Sequence, residues 1–166
     1  MSQIKTFIRQ LERESVITRK MLSQIPNDHY DWKPHPKSMT IRQLAAHIAE
    51  LPAWISMVLH TSELDFATSP YTPEIINNTE TLMAYFEKKL EEGRTALEEA
   101  DDAQLSVPWT LRNGNEIYNT SPKEEVIEMS VSQIIHHRAQ LGVFLRLLEV
   151  PIPGSYGPSA DESNFG

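Results

Sequence analysis

Four long stretches of this chain place an apolar residue every three or four positions, and that spacing restricts the fold more than any other feature. A period of 3.6 residues collects such positions on one side of a helix but scatters them over both faces of a strand. In the first stretch Ile4, Phe7, Ile8, Leu11, Ser15, Thr18, Leu22 and Ile25 form the stripe, and Pro26 stops it. The second begins near Thr40, a suitable N-cap, and turns Ile41, Leu44, Ile48, Leu51, Ile55 and Val58 inward. Pro52 lies inside it, removes the hydrogen bond to the Ile48 carbonyl, and predicts a kink one turn past His47. The third runs from about Asn78 to Ala100, with Leu82, Tyr85, Phe86, Leu90 and Leu97 apolar and Glu and Lys outside. The fourth opens with Ser121-Pro122-Lys123-Glu124, read as an N-cap followed by proline at the first helical position, and continues to about Leu148.

The connections differ in character. PNDHYDWKPHPKSM is rich in proline, with Tyr30 and Trp32 as anchors onto the helices, and Ser62 to Asn77 contains Pro70 and Pro73 and shows no period. In VPWTLRNGNEIYNT, Asn113-Gly114 between short alternating runs predicts two short strands or an extended flap. Residues 151–166 carry Pro151, Pro153, Gly154, Gly157 and Pro158 and read as an irregular tail. With no repeat and one composition regime, residues 1–166 read as a single domain. The expected fold is all-α, a four-helix bundle with a short hairpin or flap between the third and fourth helices.

Charge and cysteine usage remove whole classes of function. The 15 basic and 23 acidic residues give a net charge of −8, which on average repels a phosphate backbone or an anionic membrane surface. Neither nucleic acid nor a membrane is an expected partner. Lys5, Arg9, Arg13, Arg19 and Lys20 cluster in the first helix, but Glu12 and Glu14 interrupt them, as on a solvated face. The chain has no cysteine, so disulfides, thiolate nucleophiles and sulfur-ligated metals are excluded together. No signal-peptide core and no membrane-length apolar run is present, so a cytoplasmic protein is expected.

Polar residues interrupt two of the stripes. In the fourth helix the stripe reads Val126, Met129, Ser130, Gln133, His137, Leu141, Phe144 and Leu148, which places Gln133 and His137 one turn apart and leaves His136 and Arg138 off it. In the second helix His47 is three residues from Leu44 and four from Leu51 and shares their face. Buried polar side chains without partners cost a few kcal/mol, so His47, Gln133 and His137 should meet each other, water or an ion. Imidazole nitrogens on facing helices suit a divalent metal, and three protein ligands leave a position open for water. A hydrogen-bonded His–Gln–His–water cluster satisfies the same spacing. Glu50, one turn beyond His47, is placed to orient a ligand or to act as a base. His29, His35 and His60 lack partner spacing and read as surface histidines, whereas Trp32, Trp54 and Trp109 suit core packing or a pocket mouth. Arg138 calls for an acidic partner on a neighbouring helix or subunit.

Three segments, SMTIRQLAAHIAELPAW (Ser38–Trp54), IIHHRAQLGVFLRLLEVPIP (Ile134–Pro153) and YGPSAD (Tyr156–Asp161), together resemble the DinB-like (DinB/YfiT-like) superfamily of metalloenzymes, and the likeness covers the whole chain. The resemblance implies up-down-down-up helices and one divalent metal, nickel or zinc, held by three histidines. Gln43-Leu44-Ala45-Ala46-His47 matches the family's Gln-Leu-x-x-His pattern. His137-Arg138-Ala139-Gln140 matches the second half of His-x-x-x-His-Arg-Gly-Gln, with Ala139 for glycine, and the first histidine of that motif falls on Gln133. An amide oxygen is a weaker donor than imidazole to either metal, so weakened affinity is expected. The tail from Tyr156 to Asp161 is expected to close the bundle end. The implied functions are a metal-dependent hydrolase or thiol transferase acting on a small molecule, or a non-catalytic stress-response bundle with a degenerate site; a homodimer is expected in either case.

Overall fold

Each amphipathic stretch folds as a helix, and local capping decides where it begins. The computed structural model describes residues 2–163. Helix α1 spans Gln3–Leu22, with the Ser2 hydroxyl accepting from the Lys5 amide. A short 3-10 turn at Asn27–His29 leads to α2, Ile41–His60. There Thr40 and Gln43 cap each other's backbone amides reciprocally, an arrangement that satisfies two donors the helix itself leaves unpaired. Helix α3, Thr79–Glu99, starts behind Asn78, whose side chain accepts from the Thr81 amide. A short α4, Asp102–Leu105, precedes strands β2, Pro108–Asn113, and β3, Glu116–Pro122, and α5 spans Lys123–Leu147. Between α2 and α3 lies strand β1, Glu63–Asp65. Among the described residues, no helix is long and apolar enough to cross a membrane.

The chain is therefore not all-α, and the expected fold class needs correction. Its α-helices are joined by a three-stranded mixed sheet of order β1-β2-β3. The β2–β3 hairpin turns at Gly114, whose φ of 58° favours glycine, and a bulge interrupts its register between Leu111 and Arg112. Strand β1 pairs parallel to β2, Leu64 opposite Leu111 and Asp65 opposite Arg112. Three residues are too few to show a period. What makes them a strand is the unpaired edge that β2 offers, a tertiary cause invisible in the local sequence. Ser121 and Pro122 likewise end β3 instead of opening α5, which starts with no side-chain cap.

The four long helices close a ring in which α2 packs mainly on α3 and α5, and α1 packs on the same two from the other side. Shared apolar clusters give their directions. The starts of α1 and α5 meet the ends of α2 and α3 around Ile4, Ile55, Leu97 and Val126. The ends of α1 and α5 meet the starts of α2 and α3 around Leu22, Ile41, Leu82 and Leu141. The directions are thus up, down, down, up. Helix α2 continues unbroken through Pro52. Gly93 of α3 lies so close to that turn that a Cβ there would sit 2.2 Å from the Pro52 carbonyl oxygen. On the other side the Ser130 hydroxyl of α5 donates to the Leu51 carbonyl at 2.9 Å. The tail from residue 151 to 163 has no helix or strand, and residues 164–166 of the expected irregular tail lie outside the described residues.

Candidate functional site

A polar layer separates the two apolar halves of the bundle. Within it, Arg138 of α5 is buried against α1, only 2% exposed. Its guanidinium donates to the Glu14 carboxylate and to the Tyr156 hydroxyl, both at 2.8 Å, and to the Thr18 hydroxyl at 3.1 Å. The buried side of α5 is centred on Ile127, Val131, Ile134, Arg138, Leu141 and Leu145, while Met129 is exposed. This corrects the expected stripe. Glu14, fully buried on α1, is the acidic partner on a neighbouring helix that Arg138 calls for, and it makes burial of the arginine tolerable; the burial itself is what periodicity does not reveal. The rotation leaves Gln133 and His137 half-buried at the edge of α5 that faces α2.

The three residues picked out by spacing come together there. The His47 and His137 rings lie 4.8 Å apart between centroids and are inclined at 72°. Nδ1–H of His47 donates to Oε1 of Glu50 at 2.8 Å, one helical turn on. Nδ1–H of His137 donates to Oε1 of Gln140 at 2.8 Å. An imidazole protonated at Nδ1 carries its lone pair on Nε2, so both rings keep Nε2 free for another partner. Burial holds the His137 imidazolium below the usual histidine range, with His47 and His136 adding to the effect against the Gln140 contact. The ring is therefore neutral near pH 7 and able to ligate. Facing Nε2 of His47 at 3.4 Å is Oε1 of Gln133. An amide turned by 180° donates its N–H to this nitrogen, so the pair suits either a direct hydrogen bond or a cation held between the two atoms.

Glu50 is 8% exposed, and its Oε1 also accepts from the Tyr71 hydroxyl at 2.7 Å. Burial, reinforced by the Glu50 carboxylate, pushes the Tyr71 phenol well above its ordinary value, so it stays a donor. Tyr71 sits in the α2–α3 connection, and sequence reasoning missed it; Pro70 and Pro73 on either side announce a loop but not its destination. Beside His47 a cleft of about 370 Å³ is walled by Met39, Trp54, Phe66 and Pro73. A second cleft of about 480 Å³ adjoins it and shares Glu50, Trp54, Phe66 and Tyr71. Phe66 is backed by Tyr118 of β3, with ring centroids 6.5 Å apart, so the hairpin props the cleft wall.

The remaining candidates stand apart. His136 is exposed, although its ring lies 4.9 Å from that of His137. His35 and His60 are exposed, and His29 contacts Asp28. Trp32 packs edge-on against Phe144, and Trp109 is core, donating from Nε1 to the Thr61 hydroxyl at 2.9 Å. Among the described residues no three His, Cys, Asp or Glu side chains are grouped to hold a metal ion. A metal between α2 and α5 would take the Gln133 amide as its third protein donor.

The profile of the DinB family matches residues 1–164. The chain belongs to the DinB family. Among solved structures, a DinB-like protein from Bacillus cereus ATCC 10987 is 22% identical, with a TM-score of 0.72 over 94% of this chain and 100% of that one. A DinB-like protein from Bacillus subtilis is 19% identical, with a TM-score of 0.67 over 89% and 96%. A mycothiol-dependent maleylpyruvate isomerase is 17% identical, with a TM-score of 0.59 over 84% of this chain and 60% of its own length. At these identities the likeness is one of fold. No curated protein matches.

Proposed function

We propose that this DinB-family protein binds a divalent metal, zinc or nickel, through His47, His137 and Gln133, and acts as a metal-dependent enzyme on a small molecule in the adjoining cleft. The observation that carries the reading is the state of the two imidazoles. Each has Nδ1 engaged by an oxygen of its own helix, which orients the ring and leaves Nε2 as a lone-pair donor. Such hydrogen bonding is the usual support of metal-ligating histidines. The opposed Gln133 oxygen completes a donor set of two nitrogens and one amide oxygen. Bound there, a divalent ion supplies Lewis acidity to an oxygen or sulfur of the small molecule.

The residues of the chain have separable tasks. Glu50 fixes the His47 tautomer through Oε1, and its Oε2, which has no hydrogen-bond partner among the described residues, is a candidate base toward the cleft. Trp54 and Phe66 line the cleft beside His47. With no cysteine in the chain, a thiol reactant has to arrive as substrate. That fits the structural neighbour named for its mycothiol dependence, and it leaves hydrolysis and thiol transfer as the two reaction types to test.

Calorimetric titration of metal-stripped protein with zinc and with nickel tests the reading. Wild type should bind one ion, His137→Ala should bind none, and Gln133→His should bind at least about tenfold more tightly, since imidazole is the better donor. Equal binding by wild type and His137→Ala would place the metal elsewhere. Absence of binding by folded wild type, with binding restored in Gln133→His, would favour the rival reading of a non-catalytic bundle that has lost its site.

A further inference from the structure

The chemistry of the cleft beyond the histidines points to the class of molecule it holds. Glu50 lines both chambers and is nine-tenths buried, at 8% exposure. Its Oε1 accepts two hydrogen bonds, from His47 and Tyr71, whereas Oε2 has no hydrogen-bond partner among the described residues. No lysine or arginine pairs with this carboxylate among the described residues, and none lines the smaller chamber. Among the described residues no buried side-chain oxygen lacks a partner, so the unpaired Oε2 opens onto the cleft, whose walls combine Trp54, Phe66 and Tyr71 with Met39, Gln43 and Pro73.

Three ring systems, Trp54, Phe66 and Tyr71, bound the space common to the two chambers, and Tyr85 lines the larger one. Aromatic faces attract cations and are indifferent or repulsive to anions. The larger chamber adds Glu92 and one base, Lys89, whose ammonium is held by the Glu92 carboxylate at 2.9 Å. The field there is negative on balance. The Tyr85 phenol is pushed up to about 12, first by burial and then by Glu50, Glu74 and Glu92 together.

We propose that the joined cleft binds an organic cation: a small molecule with an apolar body, seated among Trp54, Phe66 and Tyr71, and an ammonium group against Oε2 of Glu50. This names the substrate class of the site proposed above and rests on that reading for its catalytic meaning. The binding step itself does not need the metal, because none of the contacts invoked is to the ion.

Three probes with one body and different heads separate charge from hydrophobicity: 3-phenylpropan-1-amine, 3-phenylpropan-1-ol and 3-phenylpropanoate. Each is titrated calorimetrically into full-length protein, once in chelator and once with zinc. The amine should bind about tenfold or more tightly than the alcohol in chelator, and the carboxylate should show no binding. Glu50→Gln keeps an acceptor for His47 and Tyr71 and should remove the preference of amine over alcohol. Trp54→Leu should weaken the amine and the alcohol alike. Circular dichroism confirms that each variant is folded. Equal binding of amine and alcohol, tighter binding of the carboxylate, no binding of any probe, or an unchanged amine preference in folded Glu50→Gln would each overturn the proposal. None of these outcomes alters the metal titration, which contains no amine.

Discussion

Removing Arg138 should be among the most damaging single changes available to this fold. The Arg138→Met variant retains most of the side-chain volume but leaves Glu14 fully buried without its main counter-charge. The carboxylate then keeps the Tyr156 hydroxyl and Arg13, whose side chain is 64% exposed and therefore screened. Breaking one side of a buried ion pair costs about 3–5 kcal/mol, because the remaining charge stays desolvated. For a domain of this size each kcal/mol lowers the melting temperature by about 2–4 °C, giving a fall of roughly 6–20 °C. Urea denaturation followed by helical circular dichroism at neutral pH measures the loss directly. The double variant Glu14→Leu/Arg138→Met removes both charges and should regain at least about half of it. A single variant within about 1 kcal/mol of wild type, or a double variant no better than the single, would refute the claim that this pair is a desolvated and mutually dependent unit.

The same pair makes acid stability predictable in sign. Burial raises the Glu14 pKa, but the hydrogen bonds from Tyr156 and Arg138 outweigh it, so the carboxyl lies below its ordinary 4.5 in the folded state. The unfolded chain therefore binds the proton first, and the Glu14 contribution, complete above 4.5, is lost as pH falls below that value; denaturation midpoints measured against pH should fall less steeply there in the double variant. Gly93→Ala should destabilise by about 2 kcal/mol or more, since a Cβ 2.2 Å from the Pro52 carbonyl forces α2 and α3 apart; a neutral result in thermal melts would mean that the helices separate without cost. Thr40→Ala removes one half of the reciprocal cap on α2 and should cost about 1 kcal/mol by the same melts.

Most of the helical frame was readable because its signals are local. Thr40 and Asn78 announce their helices by side-chain chemistry confined to one turn, and the stripes of α1 to α3 report burial directly. Asn113-Gly114 likewise signalled the hairpin, although the turn itself is Gly114-Asn115. What escaped depends on partners distant in sequence. Strand β1 exists because β2 has a free edge, and Arg138 is buried because Glu14 waits on another helix. The site divides in the same way. His47, Gln133 and His137 follow from helical spacing together with the family likeness, but Tyr71 lies in a loop without period, and only the folded chain brings its hydroxyl to Glu50.

The α2–α3 connection carries a consequence for how such a protein can change the shape of its cleft. It is pinned at one end by Asp65, whose carboxylate accepts from the Gly114 and Ala67 amides and pairs with Arg112, and at the other by buried Ile76. Phe66, Tyr71 and Pro73, which wall the cleft, all fall between those two anchors. The helices hold His47, His137, Glu50 and Trp54, whereas three further walls of the cleft belong to one short tethered segment. Substitutions or length changes between the anchors can therefore reshape the cleft while leaving the bundle and its histidines in register, so that such changes need not pass through unfolded intermediates in sequence space.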